Sequence, residues 1–98
     1  MGNTINTGSK NVTAAGTAEA LTSTRTIATW VIIQAKSGNT NAVYVGDSTV
    51  SSTNGHRLIA TNTMPMFPGG GGNYINLANV YIDAAVNGEG VIFTYGKR

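Results

Sequence analysis

The stretch Thr29–Asp47, TWVIIQAKSGNTNAVYVGD, decides the fold class. It opens with Trp30, the only tryptophan, and the apolar run Trp30-Val31-Ile32-Ile33. These residues are aromatic or β-branched, which suits a pleated, half-buried surface better than a helix. Ser37-Gly38-Asn39-Thr40-Asn41 follows, a cluster of turn formers, and Ala42-Val43-Tyr44-Val45 then reads as a second strand. The pattern predicts two antiparallel strands joined by the loop Ser37–Asn41. Trp30, Ile32 and Gln34 share one face of the first strand, and Val31, Ile33 and Ala35 the other. Both faces start apolar, which predicts a central strand covered on both sides, with Trp30, Ile32, Val43, Val45, Ile82 and Phe93 in the interior.

Working outward, the flanks repeat the same grammar. Asn11–Ala15 and Ala18–Thr22 read as short strands around Gly16, and Arg57–Ala60 as another. Met64-Pro65-Met66-Phe67-Pro68 is excluded from the middle of a sheet, because proline lacks the donor a ladder needs. Gly69–Gly72 reads as a loop. Asn73–Leu77, Asn79–Ala84 and Val91–Tyr95 alternate as strands, and Asn87-Gly88 between the last two is the strongest hairpin signal in the chain. No window carries helical periodicity. About eight short strands separated by Gly, Asn and Pro predict an all-β chain: a small antiparallel β-sandwich or jelly-roll-like domain.

The chain has 98 residues, enough for one core. Residues 11–98 are expected to form that single domain. Met1–Lys10 is polar, with Ile5 as its only internal apolar residue, and is expected to be a flexible arm. There is no cysteine, so stability rests on apolar burial and backbone pairing. Only 10% of residues are charged, against roughly 25% in typical soluble domains. Thr, Ser, Asn and Gly therefore supply the polar surface, and such a surface is easily buried in an assembly. A net charge of +2 without a basic cluster gives no footprint for nucleic acid. No apolar run approaches the ~18 residues of a membrane span, and no basic segment precedes an apolar one as in a secretory leader.

Catalytic chemistry finds little to use. His56 is the only histidine and has no second His or Cys to share a metal. Glu19, Asp47, Asp83 and Glu89 are the only acids, and two of them sit in Gly-containing turns. No serine lies in a G-x-S-x-G elbow, and the glycine run lacks the Lys-Ser/Thr of a phosphate-binding loop. No catalytic residue, metal or cofactor is expected. The candidate contact residues are Tyr44, Tyr74 and Tyr81, as outward tyrosines, and Ile5, as an anchor for a neighbouring subunit.

The layout from Trp30 to Leu58, with VYVGDSTVSSTNGHRL at its end, the Pro68-Gly69 loop and VYIDAAVNGEGVIFTY from Val80 to Tyr95 resembles small structural proteins of tailed bacteriophages. These include head decoration (cement) and head-fibre proteins built on β-sandwich or jelly-roll domains. The resemblance implies a non-enzymatic, assembling virion protein, expected to bind the major capsid protein lattice; the missing leader pattern suggests synthesis in the host cytoplasm, and sparsely charged edge strands are expected to close it into a homotrimer. The alternative, suggested by the outward tyrosines and the Gly-rich loop, is a receptor- or glycan-binding module of a fibre or tail.

Overall fold

A computed structural model describes residues 4–67 and 73–97. The chain is all-β, with ten antiparallel strands among the described residues and a single turn of 3-10 helix at Leu77–Asn79. One four-stranded sheet, here the front sheet, runs β1 (Thr4–Asn11), β10 (Gly90–Lys97), β4 (Trp30–Ala35), β7 (Thr63–Met66). The back sheet runs β2 (Glu19–Ala20), β9 (Tyr81–Ala84), β5 (Val43–Gly46), β6 (His56–Leu58). β3 (Ile27–Ala28) and β8 (Ile75–Asn76) make a two-residue ladder apart from both. The described residues hold no helix long and apolar enough to cross a membrane.

The core lies between the two sheets. The front sheet contributes Val31, Ile33, Ala35, Val91 and Phe93, and the back sheet Val43, Val45, Leu58, Ile82 and Ala84. Val12, Leu21, Leu77 and Val80 join the same cluster from outside the strands. Strand alternation explains the selection: in β10, Val91 and Phe93 are buried while Ile92 between them is exposed. Val43, Val45, Ile82 and Phe93 are interior, as the alternation predicts.

Three expectations need correction. Trp30 and Ile32 do not point into the core. β4 buries Val31, Ile33 and Ala35 and turns Trp30, Ile32 and Gln34 outward. The front sheet is central to nothing on that side, so a run that is apolar on both faces is covered on only one. Trp30 keeps partial burial because its indole lies across Gly96, where an added Cβ would fall 2.7 Å from Trp30 Cε2.

The second correction concerns connections. β4 and β5 are not a hairpin, since they belong to different sheets, and neither are β9 and β10. Both turn-forming stretches, 36–42 and 85–89, carry the chain from one sheet to the other. β4 instead pairs with β10 and β7, setting Ile33 opposite Phe93 and Met64.

The third correction concerns the arm. Thr4–Asn11 is an edge strand paired residue for residue with β10, from Thr4 opposite Lys97 to Asn11 opposite Gly90. Ile5 is one of its solvent-facing residues, so it is not what secures the strand. Gly8 passes under the Phe93 ring, and Lys10 ion-pairs with Glu19 at 3.1 Å. A polar strand gains order here because β10 supplies a complete row of backbone partners. The Gly69–Gly72 loop lies outside the described residues.

Candidate functional site

The four acidic side chains each hold a loop. Glu19 Oε2 accepts from the Thr13 and Ala14 N–H groups and the Thr13 hydroxyl at 2.9, 3.1 and 3.0 Å. Glu89 reaches across to the β4–β5 connection, where it accepts from Thr40 N–H at 2.6 Å, the Thr40 hydroxyl at 2.7 Å and Asn41 N–H at 3.2 Å. Asp47 accepts from Thr49 N–H at 2.9 Å and its hydroxyl at 2.6 Å. Asp83, 3% exposed, accepts from Gly16 N–H and its neighbour Ala84 N–H, both at 2.8 Å. The stretch 13–16 is thus tied at three points, since Asn87 Oδ1 also accepts from Ala15 N–H at 2.7 Å.

These bonds set the carboxyl acidities. The Thr40 backbone and hydroxyl donors, then the Asn41 N–H, hold the Glu89 carboxyl below its ordinary value of 4.5. The Thr49 hydroxyl and N–H do the same for Asp47 below 3.8. For Glu19, desolvation pushes the carboxyl up, but the Ala14 N–H, the Lys10 ammonium and the Thr13 donors together outweigh it, and the net displacement is downward from 4.5. A carboxyl lowered in the folded state contributes stability above its unfolded pKa and loses it as pH falls through the folded value. The melting temperature is therefore expected to be level through neutral pH and to fall once the pH drops below about 4.5. Glu19→Gln and Glu89→Gln together should flatten that fall, as read by melting curves at successive pH values. An acid profile identical to that of the parent chain would show that these loops are held by other means.

His56 is exposed, and no group of three or more metal-ligating side chains is gathered among the described residues. Tyr44 and Tyr81 are half-buried on the outer face of the back sheet. The register sets Tyr44 opposite Asp83 and Gly46 opposite Tyr81, which makes the two tyrosines diagonal neighbours. Loops roof part of this face: Val50 is buried, and its side chain lies against Gly46 and Gly55. A cavity of about 300 Å³ remains, lined by Ala15, Gly16, Ser52, Asp83, Ala84 and Ala85. Two further openings flank the β4–β5 connection, one of about 410 Å³ beside Lys36, Asn39 and Glu89 and one of about 260 Å³ beside Thr40, Asn41 and Arg57.

Ile5 and Tyr74 lie elsewhere. Tyr74 is an exposed residue before β8, and Ile5 belongs to the outer face of the front sheet. The four candidate contact residues therefore do not form one site.

The outer face of the front sheet is the most distinctive surface. Following the register across its strands, it carries Ile5, Thr7 and Ser9, then Ile92 and Thr94, then Trp30, Ile32 and Gln34, then Thr63 and Pro65. None of these is charged. Ile5 is 67% exposed, Ile92 44% and Ile32 36%, and Phe67 just beyond β7 is 68% exposed. Contiguous apolar exposure of this kind marks an interaction surface more often than a scattering of single residues does. Trp30, Ile32, Ile92 and Phe67 are absent from the sequence-derived contact residues. For Trp30 and Ile32 the signal was the doubly apolar run in β4, which reads as a buried strand until the missing cover is known.

Comparison with protein-family models, with curated proteins and with solved structures finds no match to this chain.

Proposed function

We propose that this chain is a non-enzymatic structural protein of a bacteriophage virion, a capsid decoration protein whose outer front-sheet face seats on the assembled head. The observation that carries this reading is the charge-free apolar face of Ile5, Trp30, Ile32 and Ile92. The phage-like layout of the sequence supplies the class of partner. The non-enzymatic reading draws support from the carboxylates, each of which is engaged by loop donors: Glu19 and Asp83 both hold the stretch 13–16, Glu89 holds Thr40 and Asn41, and Asp47 holds Thr49. Binding only the assembled lattice would stabilise the shell by mass action.

The test is co-sedimentation with empty expanded heads of the phage that encodes the chain. Saturable, stoichiometric binding is expected, with loss of binding for Ile32→Glu and Ile92→Glu while both variants, somewhat destabilised by losing half-buried apolar surface, remain folded at the assay temperature. Binding that survives both substitutions would overturn the assignment of this face. A second reading, a receptor- or glycan-binding module of a fibre or tail, is favoured by the diagonal pair Tyr44 and Tyr81 on the back sheet. Retention on glycans or host cells that depends on Tyr44, without binding to heads, would select it.

A further inference from the structure

The two sheets have four edges, and they are not equivalent. Exposed edges carry unpaired N–H and C=O groups, and soluble proteins guard them by shortness, proline, charge or a bulge. β2 has two residues, and β6 has three, one of them Arg57. β7 contains Pro65, and an edge-strand proline carries its donorless nitrogen on the solvent side. β1 has none of these devices. It runs for eight residues, contains no proline, and its register with β10 is unbroken, so it holds no bulge. Its one charge, Lys10, points to the inner side and is held by Glu19. Among the described residues no other strand pairs with it.

We propose that β1 is the self-association edge of the protein, and that two copies join their β1 strands antiparallel about a two-fold axis, fusing two front sheets into one. A two-fold axis perpendicular to the sheet keeps outward residues opposite outward residues. Centred on Thr7, the register sets Thr7 against its own copy, Ile5 against Ser9, Asn6 against Gly8 and Thr4 against Lys10. No pair brings like charges together, since Lys10 meets an uncharged threonine. Every second residue of β1 then gains the ladder partners it lacks as an edge. The same edges disfavour the trimer expected from sequence. A three-fold ring built by strand pairing needs two different open edges on each copy, and Pro65 closes the other edge of this sheet. The join adds the Ile5, Ile92 and Ile32 rows of both copies to one uncharged surface. The inference concerns the isolated protein and stands apart from what that surface docks against.

Sedimentation equilibrium at micromolar concentration tests it. The parent chain should sediment at twice 10.1 kDa. Thr7→Lys places two ammonium groups opposite each other and should return the mass to 10.1 kDa, while the variant still melts cooperatively, at or below the parent's temperature because the dimer's mass-action stabilisation is lost. Thr63→Lys puts the same charge on the same face at the far edge and should leave the dimer intact. Because the chain has no cysteine, Thr7→Cys gives a second reading that tolerates loss of stability. Residues directly opposite across a two-fold lie ~4.5–5.5 Å apart at Cα, within disulfide range. Mild oxidation should convert Thr7→Cys, but not Thr63→Cys, to a covalent dimer. A parent chain that sediments as monomer or trimer, or oxidation that links neither variant, overturns the proposal.

Discussion

Ile33→Ala lowers the free energy of unfolding by about 2–5 kcal/mol, the range for truncating a buried isoleucine. Ile33 is fully buried in mid-β4, between Phe93 on one neighbouring strand and Met64 on the other. Removing its outer carbons leaves a cavity that two sheets, clamped by ladders on both sides, are poorly able to close. Small domains have ~5–15 kcal/mol in total, so this one change removes a large share. Trp30→Ala, three positions earlier, should cost only about 1–2 kcal/mol, because half-burial over Gly96 returns only part of the side chain's apolar gain. The order is the content of the prediction: the smaller side chain matters more because it points inward. Urea melts of the two variants check it. A Trp30→Ala loss equal to or greater than the Ile33→Ala loss would mean that the outer front face is covered in the folded protein.

That contrast marks what a sequence can and cannot convey here. Periodicity of two is a local property, so the strand class, the inward row Val91 and Phe93, and the pairing of Ile82 with Ala84 on one face were all legible. Which side of β4 is covered depends on where the back sheet lies, and no residue near β4 encodes that. The turns failed for a related reason. Asn87-Gly88 turns the chain tightly, and Gly88 does take a positive φ of 88°. A tight reversal, however, can return a strand to its own sheet or pass it to the facing one. What decides is the partner of the next strand, and β10 finds β1 and β4 rather than β9. The carboxylates were likewise visible only by local position, Asp47 and Glu89 as turn residues and Glu19 and Asp83 within strands. Their bonds to Thr13, Gly16, Thr40 and Thr49 join segments up to 67 residues apart in the case of Asp83 and Gly16.

The polar stretch before Asn11 shows the same limit most clearly, and it carries the other large effect. Residues 4–11 lack the apolar alternation that identifies a strand, because an edge strand over a sheet can contribute little but backbone. Gly8 is their main packing residue, and it works by having no side chain: an added Cβ would fall 2.6 Å from Phe93 Cζ. Deleting residues 1–10 therefore uncovers the side of Phe93 that faces Gly8, losing part of the ~1.5–3 kcal/mol that full burial of the ring is worth, and leaves the β10 ladder unpaired on one side. The ordering cost of the strand is recovered in part, ~1–2 kcal/mol per residue, against the hydrogen bonds and packing lost. Each 1 kcal/mol lost moves the melting temperature of a domain of this size by about 4–8 °C, so the deletion is expected to melt clearly below the parent chain. A point substitution tests the same seam without shortening the chain. Gly90 lies so close to β1 that a Cβ there would overlap the Lys10 carbonyl oxygen and stand 2.7 Å from Asn11 Cα. The Gly90 carbonyl also accepts from Lys36 N–H at 3.1 Å and from the Asn39 amide at 2.8 Å, so the strand has no direction in which to retreat. Gly90→Ala should cost about 1–3 kcal/mol through backbone displacement. Gly38→Ala, with nothing within 4 Å of its Cβ position, should be nearly neutral. Thermal melts of the deletion and both alanine variants decide the matter. If the deletion melts with the parent chain and Gly90→Ala matches Gly38→Ala, then β1 contributes nothing to the fold, and residues 4–11 are the loose arm their composition suggests.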